Sequence, residues 1–221
     1  MGKIDIKGDI ASDDLVAFYD FFGMKCTYPK MVQEAIENDK DEEITLNIAS
    51  NGGDVFAASE IYTMLKASGK RIVVNVQGLA ASAASVISMA GDTVRISPTA
   101  QIMIHKASTG IRGNSDDLEH QSAVLSSIDE SIALAYEMKT GLKQTELLDL
   151  MAKETWLNAK TAVDKGFADE IMFSDTEEEV MVTNAVHQLP NKSAITKFKN
   201  MIATPKTNSL REQKLAILLE K

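Results

Sequence analysis

Between residues 43 and 104 the chain alternates short β-branched runs with runs of helical period. That alternation restricts the fold more than any other feature. Glu43-Ile44-Thr45-Leu46-Asn47-Ile48 reads as a strand. Val55 to Ser68 reads as a helix with Ile61, Met64 and Leu65 on one face, and Gly69 is a fitting stop. Arg71 to Val76 is a second, buried strand, and Ala80 to Ala90 a helix of small residues ended by Gly91. Thr93 to Ile96 and Ala100 to Ile104 are two further strands. Strands joined through helices need crossover connections, so the sheet is expected to be parallel at least in part. The expected class is α/β.

The flanks add less regular pieces. Lys3 to Lys7 alternates as a half-buried strand ended by Gly8. Residues 12–30 read as irregular and hold Phe18, Tyr19, Phe21, Phe22 and Tyr28, expected to form a satellite hydrophobic cluster. Met31 to Asn38 is a short helix. A long helix starts at Asn114-Ser115-Asp116-Asp117, with Ser115 expected to cap it and Leu118, Leu125, Ile128 and Ile132 as its apolar stripe. Glu146 to Lys153 and Thr161 to Lys165 are shorter helices. After Ser174 the character changes: an acidic run, Glu177-Glu178-Glu179, leads into a polar stretch, and Ser209-Leu210-Arg211-Glu212 opens a last apolar helix through Leu219. The expected division is a body over 1–174 and a mobile, basic C-terminal tail over 175–221.

Composition narrows the function. A chain of 221 residues can bury a full core and carry an appendage. The 32 acidic residues outnumber the 23 basic ones, which argues against nonspecific nucleic-acid binding by the body. Cys26 is the single cysteine, so no intrachain disulfide is possible, as suits a reducing cytoplasm. No apolar run approaches the ~20 residues that span a bilayer, and no secretory leader is expected before the first strand. One cysteine and three scattered histidines make no metal site, and neither a P-loop nor a dinucleotide fingerprint is present. No cofactor is expected.

The residues that carry chemistry lie in the middle of the chain. Ser82 follows a strand and a glycine in Gly78-Leu79-Ala80-Ala81-Ser82-Ala83-Ala84-Ser85 and begins a helix, where free backbone N–H groups favour a developing oxyanion. Its small neighbours let backbone and substrate come close. His105 closes the apolar run Ile102-Met103-Ile104, where a rigid element can aim its ring; His120 and His187 sit in polar surroundings. Ser82 is the candidate nucleophile and His105 the candidate base. Ser85 and Ser88 continue the helix at three-residue steps and read as packing or polar filler. Upstream, Ser50-Asn51-Gly52-Gly53-Asp54 allows a tight strand-to-helix turn close to a substrate oxygen.

These motifs, together with Met103-Ile104-His105, Thr140-Gly141 and Trp156-Leu157-Asn158-Ala159, resemble the Clp peptidase subunit family, ClpP, over about residues 3–173. Gly53 to Ala57, Gly78 to Ser85 and Glu154 to Leu157 are most similar to its phage branch, the head maturation (prohead) proteases. The resemblance implies a ClpP/crotonase-like repeated β-β-α spiral with a long handle helix. It implies a serine endopeptidase that cleaves capsid or scaffold protein, assembled as a heptamer-like ring in the bacterial host cytoplasm or within the procapsid. It also implies an oxyanion hole formed by the N–H groups of Gly53 and Ala83. Asn51 stands where the family has proline. The usual triad aspartate maps, by ungapped spacing, onto Glu154, with Asp149 and then Asp169 as alternatives. A housekeeping Clp subunit, a crotonase-like enzyme without the Ser-His pair and a non-catalytic ring or scaffold protein are the competing readings.

Overall fold

A computed structural model of the chain describes residues 2–174. The expected linker and terminal helix over 175–221 lie outside the described residues. In chain order the elements are β1 (Gly2–Ile10), a single 3-10 turn (Asp13–Leu15), α1 (Val16–Phe21), β2 (Cys26–Thr27), α2 (Pro29–Asn38), β3 (Glu43–Gly53) and α3 (Val55–Ala67). There follow β4 (Arg71–Ala81), α4 (Ala83–Ser88), β5 (Thr93–Ile96), β6 (Gln101–Ile104), α5 (Ser115–Thr140), α6 (Gln144–Ala152), β7 (Thr155–Asn158), α7 (Ala159–Asp164) and β8 (Glu170–Ile171). The order across the sheet is β2-β1-β3-β4-β5-β8, with β6 beside β4 and β7 beside β6. All pairings are parallel except β6–β7. The chain therefore has the mixed α/β architecture expected of it.

Two strands run further than their β-branched cores. β3 continues through the glycine pair, and β4 through Ala80 and Ala81, which residue pattern alone assigns to the helix after it. Alanine suits both elements here because the neighbouring strand supplies the ladder that decides between them. The length of β4 shapes the site. Its first half pairs with β5, from Val73↔Thr93 to Val76↔Ile96, and its second half pairs with β6, from Leu79↔Gln101 to Ala81↔Met103. One long strand thus carries two short ones in succession along a single edge.

The core lies on one face of this sheet, the face that carries the alternate apolar residues of β1, β3 and β4. Ile4, Ile6, Ile44, Leu46, Ile48, Ile72, Val74 and Val76 are buried together. Ile61 and Leu65 pack on them from α3, and Met64 of the same face is half-buried. Every residue of α4 is buried, which its small side chains permit. The cap of α5 is Asn114 rather than Ser115: Asn114 Oδ1 accepts the N–H groups of Asp116 and Asp117 at 2.9 and 3.1 Å, and Asp117 Oδ2 accepts the N–H of Asn114 at 3.0 Å. This reciprocal pair satisfies the free donors that a serine one step later would miss. Only the second half of α5 reaches the core, through Ile132, Ala133 and Tyr136, and Leu118 of the expected stripe is exposed.

Residues 12–30 are more ordered than the irregular reading, holding a turn, a short helix and a strand. Their aromatic cluster exists, with ring centroids of Phe18 and Phe22 4.8 Å apart and of Phe21 and Phe22 5.1 Å apart, but it is exposed. No helix among the described residues is long and apolar enough to cross a membrane.

Candidate active site

The site forms where β3, β4 and β6 end side by side. The register Ala81↔Met103 sets the last residues of β4 beside β6, and the Ser82 N–H donates to the Met103 carbonyl at 2.8 Å. His105 is the first residue past the end of β6. Its Nε2 lies 2.7 Å from Ser82 Oγ. Both side chains are half-buried, so they are held yet open to solvent. A hydroxyl within hydrogen-bond reach of an imidazole nitrogen is the geometry that activates a serine.

Ser82 sits between strand and helix with φ 53 and ψ −124. A non-glycine residue there is strained by about 1–3 kcal/mol. Such strain persists only where the surroundings hold it, and here they do so at both ends. The N–H is tied to Met103, and the carbonyl accepts from the Ser85 N–H at 2.9 Å, from Ser85 Oγ at 2.6 Å and from the Val86 N–H at 3.4 Å. Ser85 and Ser88 are therefore more than filler. Ser85 Oγ also meets the Tyr136 hydroxyl at 2.7 Å, and Ser88 Oγ donates to the Ser85 carbonyl at 2.6 Å. Tyr136 lies 51 residues from Ser85 in the chain, so no local pattern could have found it.

The glycine pair approaches from β3. A Cβ on Gly52 would stand 2.6 Å from the Ala81 carbonyl oxygen, 2.8 Å from Ser82 Cβ and 3.0 Å from the Ala83 nitrogen, and its φ is +95. The backbone needs glycine there on both counts. Ser50 secures the turn: its hydroxyl donates to the Gly8 carbonyl at 2.6 Å and accepts the Gly52 N–H at 3.1 Å. The Asp54 N–H donates to the Ile10 carbonyl at 2.8 Å, toward β1. Gly53, with φ +148, ends β3 beside Ile10 of β1. Ala83 opens α4, and the N–H groups of a first helical turn have no partner within the helix. Gly53, Ala83, Ser82 and His105 line one cavity of about 570 Å³, together with the half-exposed apolar side chains of Val124, Leu125 and Ile128.

Gly52→Ala carries a prediction. The added methyl meets backbone atoms that cannot turn away. Labelling of Ser82 by a fluorophosphonate should slow by about 100-fold, the loss that a 1 Å misplacement can cause. An unchanged labelling rate would show that the β3 turn does not set the position of Ser82.

The three candidate acids are placed differently. β6 and β7 pair as far as Ile104↔Thr155, and His105 and Glu154 are the residues next to that end of the ladder. Glu154 has φ 49, and its Oε1 accepts the indole N–H of Trp156 at 3.2 Å. The carboxylate is thus engaged by the indole and not by the imidazole. Asp149 is exposed on α6. Asp169 is committed elsewhere, accepting the Val94 N–H at 2.6 Å and Lys139 Nζ at 2.8 Å. A further carboxylate near the site has no mark in the sequence. Asp129 of α5 is 4% exposed and accepts the Ala107 N–H at 2.8 Å, with Lys106 Nζ at 3.9 Å from its other oxygen. It anchors the segment that leaves His105.

Comparison with known proteins points to one family. The chain is 31% identical over 134 residues to an ATP-dependent Clp protease proteolytic subunit of Deinococcus radiodurans, covering 60% of this chain and 66% of that protein. It is 26% identical over 136 residues to proteolytic subunit 2 of Tropheryma whipplei, covering 61% and 76%. It is 31% identical over 137 residues to proteolytic subunit 1 of Chlamydia abortus, covering 60% and 71%. The chain thus spans just under two thirds of the length of the Deinococcus subunit. The Clp protease family model matches residues 30–175, which include the glycine pair, Ser82, His105 and Glu154. With a serine and a histidine in contact at the ends of parallel strands, the chain belongs to the Clp protease family, a family of serine peptidases.

Proposed function

We propose that this protein is a serine endopeptidase in which Ser82 is the nucleophile, His105 the general base and Glu154 the group that orients the imidazole. The observation that carries the reading is the 2.7 Å contact between His105 Nε2 and Ser82 Oγ at the edge of the cavity. Ser82 Oγ attacks the scissile carbonyl carbon while its proton passes to Nε2. The carbonyl oxygen becomes an oxyanion, received by the N–H groups of Gly53 and Ala83. As the tetrahedral centre collapses, the C–N bond breaks and His105 returns the proton to the leaving amine. Water, deprotonated by the same nitrogen, then cleaves the acyl-serine ester and frees the hydroxyl. Glu154 and His105 lie next to the end of the β6–β7 ladder, which supports this role; in the proposed mechanism the Glu154 carboxylate leaves the Trp156 indole and engages Nδ1.

The proposed substrate is the capsid or scaffold protein of a phage or prophage, cut by a heptamer-like ring of these subunits in the host cytoplasm or the procapsid. The runs Gly53 to Ala57, Gly78 to Ser85 and Glu154 to Leu157 support this choice, as does glutamate in place of the usual aspartate. The second reading, a housekeeping Clp subunit, is favoured by the names of the relatives. Incubation of the purified chain with a capsid precursor, with and without a Clp ATPase and ATP, separates them. Limited cleavage without the ATPase is expected. Degradation of unfolded protein only when the ATPase is present would favour the housekeeping role.

A further inference from the structure

The hydrogen bonds behind Ser82 form a chain whose direction is fixed by counting protons. The Ser82 carbonyl can only accept, so the single hydroxyl proton of Ser85 goes to it, at 2.6 Å. Ser85 Oγ has no second proton to give. The hydroxyl of Tyr136, 2.7 Å away, must therefore donate to Ser85. The direction runs from Tyr136 to Ser85 to the Ser82 carbonyl.

That carbonyl belongs to the peptide unit that also contains the Ala83 N–H. The unit is planar and trans, so its C=O and N–H point in opposite directions. Whatever holds the Ser82 carbonyl therefore aims the Ala83 N–H. We propose that Tyr136 and Ser85 are positioning residues for the oxyanion hole: their relay pins the Ser82 carbonyl and so keeps the Ala83 N–H directed at the reacting carbonyl oxygen. This inference rests on the reading of Ser82 as nucleophile and Ala83 as oxyanion donor.

Two features make the relay a firm support. Tyr136 is 1% exposed, and its ring packs on Phe167 with centroids 5.5 Å apart, so the hydroxyl does not wander. Burial pushes its phenol well above the ordinary range, which keeps the proton on the oxygen as a donor. Ser85 is fully buried, so water does not replace Tyr136 as its partner without a local opening. Ser82 itself is at a backbone angle that relaxes when its restraints are loosened.

The test compares Tyr136→Phe, Ser85→Ala and the double variant with the wild type. Tyr136→Phe keeps the ring and its contact with Phe167, so folding should be spared, and thermal unfolding checks this. Fluorophosphonate labelling and hydrolysis of a fluorogenic peptide are measured, with Ser82→Ala as the control. The expected result is a fall in kcat and labelling rate of about tenfold for Tyr136→Phe and about 30-fold for Ser85→Ala, with KM unchanged, because the oxyanion is present only in the transition state. The double variant should lose no more than Ser85→Ala, since the two groups act in series. If Ser85→Ala fails to fold, Tyr136→Phe alone decides. Unchanged kcat in a folded Tyr136→Phe protein overturns the inference, as does a rise in KM at constant kcat. Full activity in Ser82→Ala would instead overturn the nucleophile assignment beneath it.

Discussion

Ser82→Ala is expected to abolish peptide hydrolysis and all fluorophosphonate labelling while leaving the fold in place. Loss of a nucleophile of this type costs on the order of a million-fold in kcat. The fold should survive because the restraints on residue 82 are backbone ones. The N–H bond to Met103 and the carbonyl bonds from Ser85 and Val86 do not involve the hydroxyl. Alanine meets the same φ that serine does, so no new strain enters. Circular dichroism and thermal unfolding should match the wild type within experimental error. Peptide mapping of the labelled wild type should place the adduct on Ser82. Equal labelling of wild type and variant at another serine would sink the assignment.

The second large effect is expected at Glu154. Glutamine there keeps the size of the side chain but gives up the charge that stabilises an imidazolium during transfer. It can also hold the imidazole in the wrong tautomer. A drop of about 10⁴ in kcat is expected, with little change in KM. Asp149→Asn should do little, because Asp149 is exposed on α6 while Glu154 and His105 lie next to the same end of the β6–β7 ladder. Kinetics of both variants on one fluorogenic peptide decide the matter. If the two effects are reversed, the acid is Asp149, and the indole contact of Glu154 is then a structural bond at the end of β7.

These two residues illustrate different degrees of legibility. Ser82 and His105 stand at the ends of elements whose patterns are strong: small residues before the serine and an apolar strand before the histidine. Both patterns survive folding, and the two side chains come into hydrogen-bond contact. Glu154 has no such local mark. Alone, it is a solvated charge after a helix, and only the pairing of β6 with β7 sets it and His105 beside the same end of one ladder. That β7 exists at all is not legible in Thr155-Trp156-Leu157-Asn158, because a run so short gains its ladder only from a partner found in three dimensions.

What the sequence determined by itself was the alternation of strand and helix, the parallel sheet that this alternation requires, and the types of residue available for acyl transfer. Period and residue chemistry are local properties, present before any contact is made. Folding in three dimensions sets how far β3 and β4 run, how close Gly52 comes to Ser82, and which groups stand behind Ser82. Tyr136 and Asp129 reach this region from a helix far along the chain, and each is buried with a hydrogen-bond partner close in sequence to Ser82 or His105. A buried polar group must find such a partner to offset its lost hydration. Which partner it finds depends on packing between distant segments, and packing is not written in the spacing of residues along the chain.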